Sequence, residues 1–599
     1  MLNPTSEAHA FYEEFAAHQK NEISSGKILL RKISIYRLLV FLGMAFFATM
    51  CFEPQPIEWE WMWGFFPLLF LFGYLVRIHE KHKDRVEHHH MALASAKEGI
   101  AGMNLEWDQL PSPMELELKG QDAVVSRDLS LTGKNSLFHL MSRKGWEMGS
   151  RVLLERAFLS SRSEAQQENQ DRVMAWSEHP KSLLTWQAHS RRRPTRDASA
   201  DEALLSWAEQ GDKNKSFFLP FILVPLNLLA WITLAKTGVS APLLLMLFLN
   251  WALCRYRSRN FDPRILLQEG RIISLLESGR HLLSSPLYPK GERSTNELEE
   301  DQHRLELLQR HLSWTEVFRS EMMHQLLQAL LFWDTWVIPL LDSWRRTEGQ
   351  HLRPSLKRRA NEEAIATLAS WKFERPWFQW ATTSPHGSPI VAKGLGHPLL
   401  REDQAVTNDL KIDHEQPLLV LGGSNMSGKS TLLRALGLNL LLSRMGAVVF
   451  SKEFLLPPIE LRTSFRLDDS LSQGLSFFMS ELQQLKEVNM TLKHLPERTS
   501  LLFLFDEILL GTNLQERREA IGRVLQHYLK AGALGAMATH DLDSLNRPGL
   551  KEQSSMFHME EGVIREDGAT LPRFSYKLKE GVCTSGNAIT LLEHSGALD

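Results

Sequence analysis

Residues Gly423-Ser424-Asn425-Met426-Ser427-Gly428-Lys429-Ser430, continuing into Thr431, match the spacing G-x-x-x-x-G-K-[ST] in full. Such a loop captures phosphate. Its backbone N–H groups, gathered at a helix N-terminus, face the anion, a lysine neutralises the terminal phosphates and a hydroxyl ligates Mg²⁺. Lys429 and Ser430 stand where those two groups belong. Further along, "SLLFLFDE" ends in Asp506-Glu507. An acid at the end of a buried strand can hold a Mg²⁺ shell, and a second can polarise water. "GALGAMATHD" ends in Thr539-His540, where an imidazole could sense the outermost phosphate. In this order the three elements predict nucleotide hydrolysis, with Glu507 and His540 as catalytic groups and Ser430 and Asp506 as metal ligands.

These residues need elements to hold them. The loop follows the apolar "PLLVLG" and precedes "TLLRALGLNLLL", the strand–loop–helix context that the motif requires. The spacing predicts an α/β domain over 391–599 with a phosphate-binding loop. Upstream, leucines recurring with a period near 3.6 predict helices over 120–216 and 255–390. Four uncharged apolar runs stand apart from this pattern: between Arg37 and Glu53, between Glu60 and Arg77, Ser216–Ala235, and Thr237–Cys254. A crossing helix needs roughly 20 apolar residues, so the second pair is long enough and the first is short. Lys or Arg flank each pair on its outer sides, and "EPQPIEWE", which joins the first two runs, has neither. The pattern predicts two transmembrane hairpins, at 35–78 and 217–254, with both termini and the 391–599 domain in the cytoplasm. A helix over 1–34 and a charged helical linker over 79–119 complete the division.

The chain has 599 residues and a formal charge of −3, which gives no global signal for nucleic acid. Cys51, Cys254 and Cys583 form no CxxC pair, so neither a disulfide framework nor a zinc site is expected. His79, His82, His88, His89 and His90 cluster on the linker and read as a solvated helix face. The basic runs 191–196 and 353–359 also read as solvated surface, able to touch phosphates.

The motif segments together resemble the MutS family. "GSNMSGKSTLLRALGLNLLLSRMGAVV", "DEILLGTN" and "ATHD" are similar to its ATPase domain, a relative of the ABC-type ATPases. "GLGHPLL" (394–400), "TNDLKI" (407–412), "LDDSLSQGLSFFMSELQQL" (467–485) and "FSYKLKEGVCTSGNAITLLEHSG" (574–596) agree with it. "DLSLTGKNSLFHLMSRKGWEMGSRVLLERAFL" (128–159) looks like the start of its helical core, so the resemblance covers about 120–599. It implies ATP and Mg²⁺, a homodimer, and a composite site in which Ser476 of one protomer completes the other's loop. It also implies DNA as a partner. Two departures bear on that. The mismatch-wedging domain has no room before the first apolar run, and Phe11/Glu13 in "AFYEEF" copies its Phe-x-Glu pair only by coincidence. The aromatic that stacks adenine in many members is Ala405 here. Two functions stay open: a membrane-tethered DNA-binding ATPase of repair or recombination type, and a mechanical ATPase acting on a membrane or protein partner without reading mismatches.

Overall fold

The computed structural model describes residues 4–52, 59–116, 118–142, 147–159, 164–191, 198–209, 219–258, 269–288, 293–319, 321–424, 427–465, 477–566 and 569–582. Helices α1 (Pro4–Phe52) and α2 (Met62–Asn104) run antiparallel along one another. Tyr12 meets Gly99, Val86 meets Gly26, Leu68 meets Gly43 and Phe47 meets Gly64. A Cβ at Gly64 would stand 2.3 Å from the Phe47 ring, so glycine is what lets the two helices close there. The two ends of this pair differ. Tyr12, Phe15, Ala92 and Ala96 are buried at one end. At the other, Leu38, Phe41, Phe46, Phe66 and Phe70 are exposed.

Among the described residues, one helical stretch, Glu7–Met50, is long and apolar enough to cross a membrane, and 6% of its apolar window is buried. Helices α3 (Leu219–Thr237) and α4 (Ala241–Ser258) hold shorter apolar stretches, Phe221–Thr237 and Ala241–Leu253. Of the four expected spans, one therefore has the necessary length. The second run fails because α2 meets Arg77 and further charges soon after its apolar start. On α3 and α4 large apolar side chains face outward all the same, among them Phe221, Leu229, Leu245 and Phe248.

The remaining helical region is built around α6 (Trp333–Glu374), which follows the short helix α5 (Glu321–Leu331). At about 1.5 Å per residue its 42 residues extend about 63 Å. Helices Glu147–Ala157, Glu164–Ser177, Ala198–Glu209 and Arg293–Ser313 pack along it. Leu275, Leu308, Leu341 and Leu352 belong to one of the cores. Of the basic residues of 353–359, Lys357 is exposed and Arg353 and Arg358 form partly exposed ion pairs, as expected of a surface, and only Arg359 departs from that expectation. Arg353 pairs with Glu209 at 2.6 Å and Glu202 at 3.1 Å, and Arg358 with Asp301 at 2.7 Å. Arg359 is buried and donates to the Leu275 carbonyl at 2.8 Å. Arg191 is buried against Glu98, and the rest of the 191–196 run lies outside the described residues.

The C-terminal part is a mixed α/β domain. Strands β1 (Leu418–Gly422), β2 (Ile459–Ser464), β3 (Ser500–Asp506), β4 (Leu534–Ala538), β5 (Ser554–Glu566) and β6 (Ala569–Glu580) form a sheet in the order β6-β5-β1-β4-β3-β2. All neighbours are parallel except β5 and β6. β1, β3 and β4 are buried along their whole length, which explains their unbroken apolar runs. A four-stranded sheet that includes Ile390–Leu395 and Asn408–Ile412 lies beside them. Helix α6 reaches this domain through Trp371, whose Nε1 donates to the Val448 carbonyl at 3.2 Å.

Candidate functional site

Register places the motif residues at one level. Ala538 at the end of β4 pairs with Leu421 of β1 on one side and Asp506 of β3 on the other. The chain leaving each strand therefore enters the same space, outside the carboxyl ends of the strands, where open α/β sheets bind ligands. After β1, Gly423 (φ +123°) and Gly428 (φ +101°) bracket the loop, and Gly428 caps helix α7 (Lys429–Met445). Gly428 has a second constraint: a Cβ there would come 3.1 Å from the Tyr576 ring.

Lys429, 5% exposed, turns its ammonium onto the Gly423 and Ser424 carbonyls at 2.9 and 2.7 Å. Ser427 Oγ donates to Ser424 O at 2.9 Å, which tightens the loop. Ser430 hydrogen-bonds Asp506 across the gap between α7 and β3. Burial raises the Asp506 pKa and adjoining Glu507 adds to that, while the Ser430 bond and the cations of Arg434 and Lys429 pull it back. Glu507 takes a left-handed backbone, φ +51°, with its N–H on the Ala538 carbonyl at 3.1 Å. For a residue with a side chain this conformation is strained, and such strain concentrates at functional positions. It turns the Glu507 carboxylate to His540, whose Nε2 lies 2.6 Å from Oε1 and 3.4 Å from Lys429 Nζ.

Lys429, Ser430, Asp506 and Glu507 line a cavity of about 540 Å³ together with Thr431, His397, Gln404, Val406, Asn408 and Tyr576, and His540 joins them through Glu507. Lys429, Ser430, Asp506, Glu507 and His540 thus come together as the spacing predicted. Asn425, Met426 and Ser476 lie outside the described residues. Sequence reasoning missed His397 and Tyr576. Burial, with Arg434 nearby, holds the His397 pKa down at about 4. Tyr576 is carried in by the β5–β6 hairpin, and Asn408 fixes its backbone by donating to Tyr576 O at 3.0 Å and accepting from Leu578 N–H at 2.8 Å. Its positive φ, +56°, was the kind of feature that no residue pattern announces. Ala405 packs on the main core while its neighbours Gln404 and Val406 face the cavity.

Two sequence features resolve away from the cavity. Phe11 packs edge-on against Phe373 at 5.4 Å, beside Tyr12, whose hydroxyl donates to Glu374 at 2.9 Å. It joins α1 to the end of α6, in keeping with the reading of Phe11/Glu13 as a coincidence. Of the linker histidines, His89 meets Gln19 at 2.7 Å and His88 stacks on His189 with ring centroids 4.0 Å apart. That face is thus partly packed, where a solvated face was expected. No cluster of metal-ligand geometry occurs among the described residues.

Comparison with known proteins agrees with this arrangement. Residues 419–597 match the family model MutS domain V. The chain is 28% identical over 249 residues to the DNA mismatch repair protein MutS of Thermotoga maritima, covering 40% of this chain and 29% of that protein. It is 30% identical over 240 residues to the DNA mismatch repair protein MSH6 of Arabidopsis thaliana, covering 38% and 17%. It is 33% identical over 171 residues to the endonuclease MutS2 of Thermus thermophilus, covering 27% and 22%. The chain therefore spans less than a third of the length of these relatives. Its strand order, its motif residues and the matched model lead to one assignment: residues 419–597 form a domain similar to MutS domain V.

Proposed function

We propose that the chain is a membrane-anchored, Mg²⁺-dependent ATPase of MutS type, allied by kinship to DNA mismatch repair and recombination. The observation that carries this is the meeting of Lys429, Ser430, Asp506, Glu507 and His540 at the carboxyl ends of β1, β3 and β4. The residues fit the ligands. Gly423–Thr431 offers N–H donors at the start of α7, Lys429 a cation, and Tyr576 an aromatic face that position 405 does not supply. Ser430 and Asp506 form an oxygen donor set suited to Mg²⁺. A bound Mg²⁺ would neutralise phosphate charge. Glu507 takes a proton from the attacking water, and His540, hydrogen-bonded to Glu507, links that carboxylate to the end of the phosphate chain. Kinship supports a homodimer in which Ser476 completes the partner's site.

The membrane reading rests on the exposed apolar surfaces of α1–α2 and α3–α4, with basic residues at the outer ends of both pairs. We place both hairpins in the bilayer, with the ATPase domain in the cytoplasm. A second reading, a mechanical ATPase acting on a membrane or protein partner, is favoured by α6, which runs unbroken from beside the second hairpin to the α/β domain. ATP hydrolysis by the detergent-purified chain, alone and with matched or mismatched duplex, separates the readings. A rate changed by DNA supports the repair kinship, and we expect the two duplexes to act alike because phosphate contacts do not read sequence. A rate indifferent to DNA supports the mechanical reading, and absence of hydrolysis overturns both.

A further inference from the structure

The second hairpin does not stand alone. Helix α5 packs against α3, α4 and α6, and its last turn is tied to the hairpin by side chains. A helix leaves its final four carbonyls without partners inside the helix. In α5 all four are taken. The Gln328 carbonyl accepts from Phe332 N–H at 3.0 Å and from the Asn250 amide. Ala329 and Leu330 each accept from Asn227 Nδ2 at 2.8 Å, and Leu331 accepts from Trp336 Nε1 at 3.0 Å. The Gln328 side chain completes the joint, donating to Asn250 Oδ1 at 2.6 Å and accepting from Asp334 N–H at 2.9 Å. Asn227 and Asn250 are 1% and 4% exposed, and they come from the middle of helices that otherwise show apolar side chains outward.

At a water-exposed helix end water would do this work. Internal satisfaction of every terminal carbonyl is what hydrocarbon demands, because nothing there can donate. The sequence agrees. From Met322 to Leu341 only Asp334 belongs to the charged set Asp, Glu, Lys and Arg, and it is buried with its carboxylate 2.8 Å from His324. The two helices are separated by the single residue Phe332, which is fully buried with a left-handed backbone. Leu326 is 53% exposed on the outer side of α5 and Trp314, just before it, is 50% exposed. Eleven residues span about 17 Å, roughly half a hydrocarbon core, which suits an element that enters a membrane without crossing it.

We propose that residues 321–341 are a third membrane-embedded element, a helix–break–helix seated in the lipid bilayer against α3 and α4. This rests on the reading of α3–α4 as a membrane hairpin. It makes α6 a lever whose first turns lie in the bilayer and whose last turn packs on the α/β domain at Val448.

The test uses the unmodified full chain reconstituted in phosphatidylcholine–phosphatidylglycerol vesicles. A lipid-confined photoactivatable diazirine is activated, and the digested protein is mapped by mass spectrometry. Label is expected in peptides of both 219–258 and 321–341, and not in the exposed segment around Gln350. Label in 219–258 alone would overturn the inference and leave the hairpin intact. Label in neither would remove the membrane reading of α3–α4 and the inference with it. A second readout places a fluorophore at Leu326→Cys in a chain whose three cysteines are replaced by alanine, with Leu245→Cys as reference. Loss of emission to lipid-bound nitroxide at both positions is expected. Loss to aqueous iodide at Leu326→Cys, with lipid quenching at Leu245→Cys, would contradict the placement.

Discussion

In the site as proposed, Asp506 is the residue whose protonation would decide whether a divalent cation binds. Its carboxyl must be ionised to ligate Mg²⁺, and burial places its pKa above the ordinary carboxylate range. Binding of Mg²⁺ should therefore release a proton in a window displaced upward from that of a free aspartate, and apparent affinity should fall as pH is lowered through it. Isothermal titration of Mg²⁺ with nucleotide in buffers of different ionisation enthalpy reads this release directly. A proton count of zero across the acidic range would contradict the assignment of Asp506 as ligand. At this scale much of the site was legible in the sequence, because Gly423–Thr431 and Asp506-Glu507 are contiguous and their chemistry depends on spacing. Tyr576 and His397 were not. They reach the cavity through hairpin pairing and through the loop after Ile390–Leu395, and although their segments resemble the family, nothing in either segment singles out the one residue that enters the site.

Elements carry the coupling between site and helices. Three helices meet at a stack of imidazoles: His88 of α2, His189 of helix Pro180–Arg191, and His281 of helix Glu269–Ser284, with the His189 and His281 rings 5.4 Å apart. Glu277 lies 3.9 Å from His189. Burial, with His189 beside it, pushes the His281 pKa down to about 4. An unfolded chain would protonate this histidine near the ordinary imidazole value of 6.5, so the unfolded state binds more protons between those values. Stability should fall as pH drops from 6.5 toward 4 and change little on this account below that. Thermal unfolding of the detergent-solubilised chain across this range checks it, and His281→Asn should flatten the dependence. An unchanged slope in that variant would show that the titrating group lies elsewhere. The sequence reading placed α5 inside the helical stretch 255–390 but gave it no part in the membrane, for a physical reason. Eleven residues are too few to register as a span, and its polar residues signal structure only once Asn227 and Asn250 are seen to meet them. The four apolar runs were legible, but the charges after Val76 show how a run can be apolar and still too short.

At the scale of the molecule, the apolar surface among the described residues is concentrated at the far end of α1–α2 and on α3–α4, while the α/β domain shares one continuous core with the helices beside it. That distribution fits a chain held by a bilayer at two places and driven from a third. Membrane fractions washed with alkaline carbonate or high salt should retain the chain, because hydrophobic burial is indifferent to charge screening. Release without detergent would refute the anchoring. What drives the molecule is the central claim, and hydrolysis by Glu507→Gln tests it most directly. This substitution keeps the size of the side chain and the Asp506 and Lys429 contacts but removes the carboxylate that accepts the water proton. In detergent, ATP turnover should fall by roughly 10²-fold or more while equilibrium ATP binding persists. Wild-type turnover in that variant would contradict the account.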